Sequence, residues 1–179
     1  VVLNREEVVR SGRISLDYSG ITKNGTSVLF SYYRDEKSFG LGTGKSGRIN
    51  GFAFGQSFSI PGAQGIFGYK AIFENYRADV DYEFYENIGL ELSYSKPLGY
   101  NWMLNSKYSY NDKPHDADFP LFGDRNDRLE TLRVNFIKPM GLCWSLNLGA
   151  VLSDSRSTIN IYKRSANNFS AVLNYQCFK

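Results

Sequence analysis

Over residues 144–153 every second side chain is apolar: Trp144, Leu146, Leu148, Ala150 and Leu152. Ser145, Asn147, Gly149 and Ser153 stand among them, with Val151 the exception. Successive side chains of a β-strand point to opposite faces of its sheet, so a period of two predicts a strand with one greasy face. The same period runs through most of the chain. Over 13–21 it sets Ile14, Leu16 and Tyr18 against Ser15, Asp17 and Ser19, and over 27–34 it picks out Val28, Phe30 and Tyr32. Over 50–60, Phe52, Phe54, Phe58 and Ile60 oppose a thin wall of Gly51, Ala53, Gly55, Ser57 and Ser59. Over 66–75, Phe67, Tyr69, Ala71 and Phe73 oppose Gly68, Lys70 and Glu74. Runs at 82–95, 102–111, 129–138 and 168–178 complete nine. No stretch approaches the ~18 consecutive apolar residues of a membrane-spanning helix, and the fold class is read as all-β.

What the greasy face meets is decided by the face behind it. That face carries Arg13, Asp17, Lys70, Glu74, Glu91, Lys107 and Arg133. Charges of both signs are costly in a dry sandwich core but suit a polar lumen. The connections also alternate in length. They are short at 24–25 (Asn24-Gly25, a tight-turn pair), 61–64, 97–101 and 140–143, and longer at 35–48, 76–81, 112–127 and 154–166. Outer-membrane barrels have short periplasmic turns and long external loops. Tyr94, Trp102, Trp144 and Tyr175 fall near the short-turn ends of their runs, and Tyr18, Tyr82, Tyr108 and Tyr110 are candidates for the other rim. Such rings favour the membrane–water boundary because an apolar body carries a polar tip.

These features predict an antiparallel up-and-down transmembrane β-barrel of about 8–10 strands in a bacterial outer membrane. Residues 1–11 are read as a tether and 12–179 as the barrel domain. Val1 opens no basic-then-apolar leader, so the expectation is a mature chain. Nine runs sit awkwardly with the even strand number of single-chain bacterial barrels. Three repairs are open: a further strand in the leading segment, an early run that does not span, or a larger barrel of which this is the trailing part. A barrel this small is filled by its own side chains. The rival fold is a soluble lipid-binding β-barrel, with the apolar face inward and the charges in water.

Little points to chemistry. A net charge of +3 with scattered basic residues excludes nucleic acid as a natural partner. His115, Asp116, Asp118, Asp124 and Asp127 share one loop, but their spacing fits no Ca²⁺ motif and they are read as solvated charge. The segment Gly40-Leu41-Gly42-Thr43-Gly44-Lys45-Ser46 misses the phosphate-loop pattern, because Phe39 stands where the first glycine belongs. Ser, His and Asp form no triad, and no enzyme, metal or cofactor is expected. Cys143 and Cys177 both fall near the short-turn rim. Strand parity puts them on opposite faces, which favours two free thiols over a bridge. Expected partners are the lipid bilayer of the outer membrane and, as an open alternative, a periplasmic or envelope protein.

The C-terminal half carries a more particular pattern. The Tyr108-Ser109-Tyr110 strand precedes a loop ending Gly123-Asp124-Arg125-Asn126-Asp127, then a strand closing on Lys138-Pro139 and an aromatic restart at Trp144. The segment Ser153-Asp154-Ser155-Arg156-Ser157-Thr158-Ile159-Asn160-Ile161-Tyr162-Lys163-Arg164 leads to the last run. Over about residues 65–178 this resembles the C-terminal barrel of surface lipoprotein assembly modulators and related outer-membrane barrels fused to tetratricopeptide repeats. The resemblance implies an export-associated barrel translocating surface lipoproteins or exopolysaccharide. The helical repeats are not found in these 179 residues. Phe178 stands one step out of phase with Leu173 and Tyr175, where such barrels place a terminal aromatic in phase.

Overall fold

The structure is a computed structural model that describes residues 8–22, 26–39, 46–60, 62, 64–118, 120 and 123–175. Asn24-Gly25, the 40–45 loop, Cys177 and Phe178 lie outside the described residues. Nine strands form one sheet: β1 (Val8–Ile21), β2 (Ser27–Phe39), β3 (Gly47–Ile60), β4 (Gly65–Ala78), β5 (Tyr85–Pro97), β6 (Met103–Pro114), β7 (Asn126–Met140), β8 (Trp144–Ser157) and β9 (Arg164–Tyr175). Each pairs antiparallel with the next, in sequence order. Among the described residues no ladder joins β9 back to β1, so the meander is an open sheet and not a closed barrel. With nine strands, β1 and β9 both run from the long-loop end to the short-turn end.

Most strands reach further than their apolar alternation. At the long-loop end β2 continues to Phe39, β4 to Ala78, β6 to Pro114 and β8 to Ser157. Most of the added residues are polar on both faces (Asp35 and Glu36; Arg128; Asp154 and Arg156), so the polarity signal ends while the backbone ladder goes on. The tether is corrected likewise: β1 starts at Val8, and a register shift separates the Val8 and Arg10 pairings with β2. All early runs are full strands, which removes the repair that left one of them short. Conversely, β5 starts at Tyr85 and not at 82, because Asp81–Glu83 form a 3-10 turn.

The register assigns every strand residue to a face. One row of directly opposed residues runs Ile21, Ser27, Ser57, Gly68, Ser93, Lys107, Arg133, Val151 and Asn168. It leaves β1 at its short-turn end but meets β9 at Asn168, seven residues before Tyr175. That is about 24 Å of stagger over about 38 Å of sheet width, a strand tilt of about 30°.

The sheet curls towards its polar face. Ala53 is 1% exposed and Asn87 3%, while Tyr33, Ile49 and Tyr76 cluster beside them at the long-loop end. The apolar face is convex: Phe52 is 45% exposed, Phe73 40% and Leu148 38%. With a single layer, only the curl covers anything, and small residues permit it. Tyr33 on β2 lies over Gly51 of β3, and its hydroxyl donates to Glu74 Oε1 on β4. A Cβ on Gly51 would run into the Tyr33 ring.

Cys143 is disulfide-bonded, which overturns the expectation of free thiols. Parity did not apply, because Cys143 sits in the turn before β8 and the β8–β9 ladder ends at the Trp144–Tyr175 pair. The chain's other cysteine is Cys177.

The Gly51 contact generates a prediction. Gly51→Val forces Tyr33 off Glu74 and costs about 1–3 kcal/mol of stability, read as a lower urea midpoint of the folded form. An unchanged midpoint would contradict the close approach.

Candidate functional site

The polar concave wall, with a cluster at its long-loop end, is where this molecule gathers charged groups. The register puts all seven sequence-predicted residues on this one wall: Arg13 and Asp17 (β1), Lys70 and Glu74 (β4), Glu91 (β5), Lys107 (β6) and Arg133 (β7). They do not form a single site. Arg13 stacks its guanidinium 4.3 Å from the Tyr33 ring centroid, and Asp17 accepts a 2.5 Å hydrogen bond from Ser31 Oγ. Glu74 is held by Tyr33 and by Asn87 Nδ2, which donates to Oε2 at 2.6 Å. Asn87 also reaches Asn111 Oδ1 at 3.3 Å. Lower on the wall, Lys107 Nζ lies 2.8 Å from Glu91 Oε1. Lys70 directly opposes Glu91, and Arg133 directly opposes Lys107.

The cluster above was not foreseen. Arg125 enters it from the β6–β7 connection and is 10% exposed. Its Nη2 lies 2.7 Å and its Nε 2.9 Å from Asp127 Oδ2, while Nη1 lies 3.3 Å from Glu83 Oε2. The guanidinium covers the Tyr162 ring at 3.8 Å. His115, whose side chain is 3% exposed, puts Nε2 3.4 Å from Asp127 Oδ2 and Nδ1 3.2 Å from the Tyr82 carbonyl oxygen. Three connections are thereby clasped together: β4–β5 through Glu83, β6–β7 through Arg125, and β8–β9 through Tyr162. Burial alone pushes the Asp127 carboxyl up. Hydrogen bonds from His115, Arg125 and Ser157 outweigh it and hold the group well below the usual carboxylate range.

His115 and Asp127 are therefore structural partners and not solvated loop charge. Asp116, the next in that loop, pairs with Arg77. The sequence signal was missed because Glu83, His115 and Arg125 sit in turns, where no period reveals what a side chain faces. Tyr82 is likewise in a 3-10 turn and not on a strand rim, and Tyr18 lies three residues from the short-turn end of β1.

The four aromatic residues expected at the short-turn rim gather there on the convex side. Trp144 and Tyr175 are directly opposed, with ring centroids 4.7 Å apart. Tyr94 lies on the convex side of β5. Trp102 precedes β6, and Lys138 Nζ stands 5.4 Å from its ring. Among the described residues no three of His, Cys, Asp and Glu gather as a metal site would need. No family model, curated protein or solved structure matches the chain.

The clasp can be tested. Removing Arg125 leaves Asp127 and Glu83 buried without a counter-charge, and Arg125→Met costs about 3 kcal/mol. The measurement is the thermal midpoint together with protease cutting near 115–125. Unchanged values for both would show that the cluster holds nothing.

Proposed function

We propose that the chain is the wall of an outer-membrane β-barrel, serving as an envelope anchor, scaffold or export-associated module. The observation that carries this reading is the inverted polarity of a curled sheet. Its concave side holds charge, hydroxyls and glycine, while its convex side holds aliphatic and aromatic rows that have no protein cover among the described residues. In water, such a convex face is far larger than the apolar patches soluble monomers expose. In lipid it is the ordinary outer skin.

Dimensions support the same reading. On β8 the apolar row runs from Trp144 to Leu152, about 27 Å along the strand and about 23 Å along the normal at this tilt. A barrel's apolar band is ~25 Å tall. Above the row the convex face changes to ion pairs: Arg34 and Arg48 with Glu36, Arg128 with Asp112, Arg156 with Asp154. At its lower end stand Trp102, Trp144 and Tyr175. A band between charge and aromatic rings has the layering of a membrane crossing.

The reading also sets a requirement. Unpaired backbone edges are not tolerated in hydrocarbon, so the β1–β9 seam must be filled. Because β1 and β9 run in the same direction, antiparallel closure takes an odd number of further strands, as in a larger barrel. Translocation of surface lipoproteins or exopolysaccharide, implied by the resemblance, is the narrower form of this proposal. A soluble lipid carrier would need an apolar concave surface, and no observation favours it.

Two neighbouring substitutions separate lipid from water. Leu148→Arg places a charge on the convex face and costs about 2–4 kcal/mol of folding stability in vesicles, whereas Asn147→Arg, one residue away on the concave wall, costs far less. Urea unfolding of vesicle-bound protein measures both. The reverse order, Asn147→Arg damaging and Leu148→Arg neutral, would count against the membrane reading.

A further inference from the structure

Charge is unevenly spread over the concave wall. Three successive rows below Glu74 cross the sheet through Lys70 and Glu91, through Lys107 and Arg133, and through Asn105 and Asn135. Their other members include Ser57, Ser93, Ser109, Thr131 and Ser153. These rows hold three cations and one carboxylate. Glu91 spends its charge on Lys107 at 2.8 Å. Among the described residues, Arg133 and Lys70 have neither a hydrogen bond nor an ion pair. Lys107 and Arg133 nevertheless face each other directly across β6 and β7. Like charges so opposed destabilise a ladder, with Cβ atoms about 5 Å apart. A wall built for stability alone would have an acid at one of the two positions.

A recess of about 350 Å³ is lined by Lys70, Glu91, Lys107, Ser57, Ser93 and Gly68, among others, and Arg133 stands at its border, directly opposed to Lys107 on the next strand. Lys107 keeps 46% of its side chain exposed there. We propose that this strip is a binding site for an oxyanion-bearing ligand, phosphate above all. Arg133 supplies a planar fork that matches two oxygens at once, Lys107 and Lys70 supply point charges, and the serine hydroxyls donate around them. Glu91 acts against the ligand, keeping Lys107 in place while lowering the net charge. The proposal needs only that the concave wall meet water, and it stands apart from what the convex face meets.

The test is calorimetric titration of the folded full chain with inorganic pyrophosphate at low salt, repeated for Arg133→Gln, Glu91→Gln and the convex-face control Arg156→Gln. Saturable binding is expected, weakened about tenfold or more by Arg133→Gln, unchanged by Arg156→Gln and weakened by added salt. Glu91→Gln distinguishes a ligand site from a structural ion pair, because removing the acid is expected to tighten pyrophosphate binding several-fold. If Arg133→Gln does not fold, the Glu91→Gln result decides. A citrate arm separates the ligand classes: binding of pyrophosphate alone narrows the site to phosphates, and binding of both widens it to oxyanions, each outcome supporting it. Absence of saturable binding to either probe, equal losses in Arg133→Gln and Arg156→Gln, or weaker binding in Glu91→Gln would overturn it.

Discussion

Eight antiparallel ladders fix the register of this sheet, and register in a β-sheet is also a choice of face. A slip of one residue between any two strands would carry Phe52 or Leu148 to the side of Glu74 and Arg133. The alternation of the sequence and the hydrogen bonding of the backbone therefore have to agree on every strand, and from β1 to β9 they do. The curl, the charged wall and the clasp above it all depend on that agreement, since none of these features belongs to a single strand.

The interior so formed is unlike a soluble core. Its most buried members are Ala53, Asn87 and a set of glycines, with Tyr33, Ile49 and Tyr76 packed at one end. Small side chains let the wall bend, and polar ones join neighbouring strands by hydrogen bonds such as Asn87 to Asn111 and Thr131 to Ser153. Hydrophobic burial, normally the dominant favourable term in folding, is concentrated on this side at that one end. Most of the large apolar groups are on the other side, so their contribution depends on what the convex face meets. The amphipathic edges β1 and β9 raise the same question for the backbone, because among the described residues no strand pairs with the outer sides of Leu16 and Phe169.

Much of this architecture is legible in the sequence. Period two locates nine strands and separates Lys70, Glu91 and Arg133 from Phe73, Leu90 and Leu132, since the face is a local property of the sequence. Strand ends are misjudged wherever both faces turn polar, as at Arg34 to Glu36, because alternation vanishes there while pairing continues. The clasp of Glu83, His115, Arg125 and Asp127 is hidden for another reason. Its members come from separate connections and meet only once the ladders bring the loops together. The disulfide at Cys143 escapes in a similar way, as strand parity says nothing about a residue in a turn.

The central claim is that the convex face meets hydrocarbon, and Trp144 reports on it directly. In Trp102→Phe protein, Trp144 is the single indole. Its fluorescence can be followed in vesicles of ordinary and of brominated lipid. The account predicts strong quenching by the brominated chains and little by aqueous iodide. Emission untouched by brominated lipid and readily quenched by iodide, from a chain that stays folded in buffer without detergent, would contradict it.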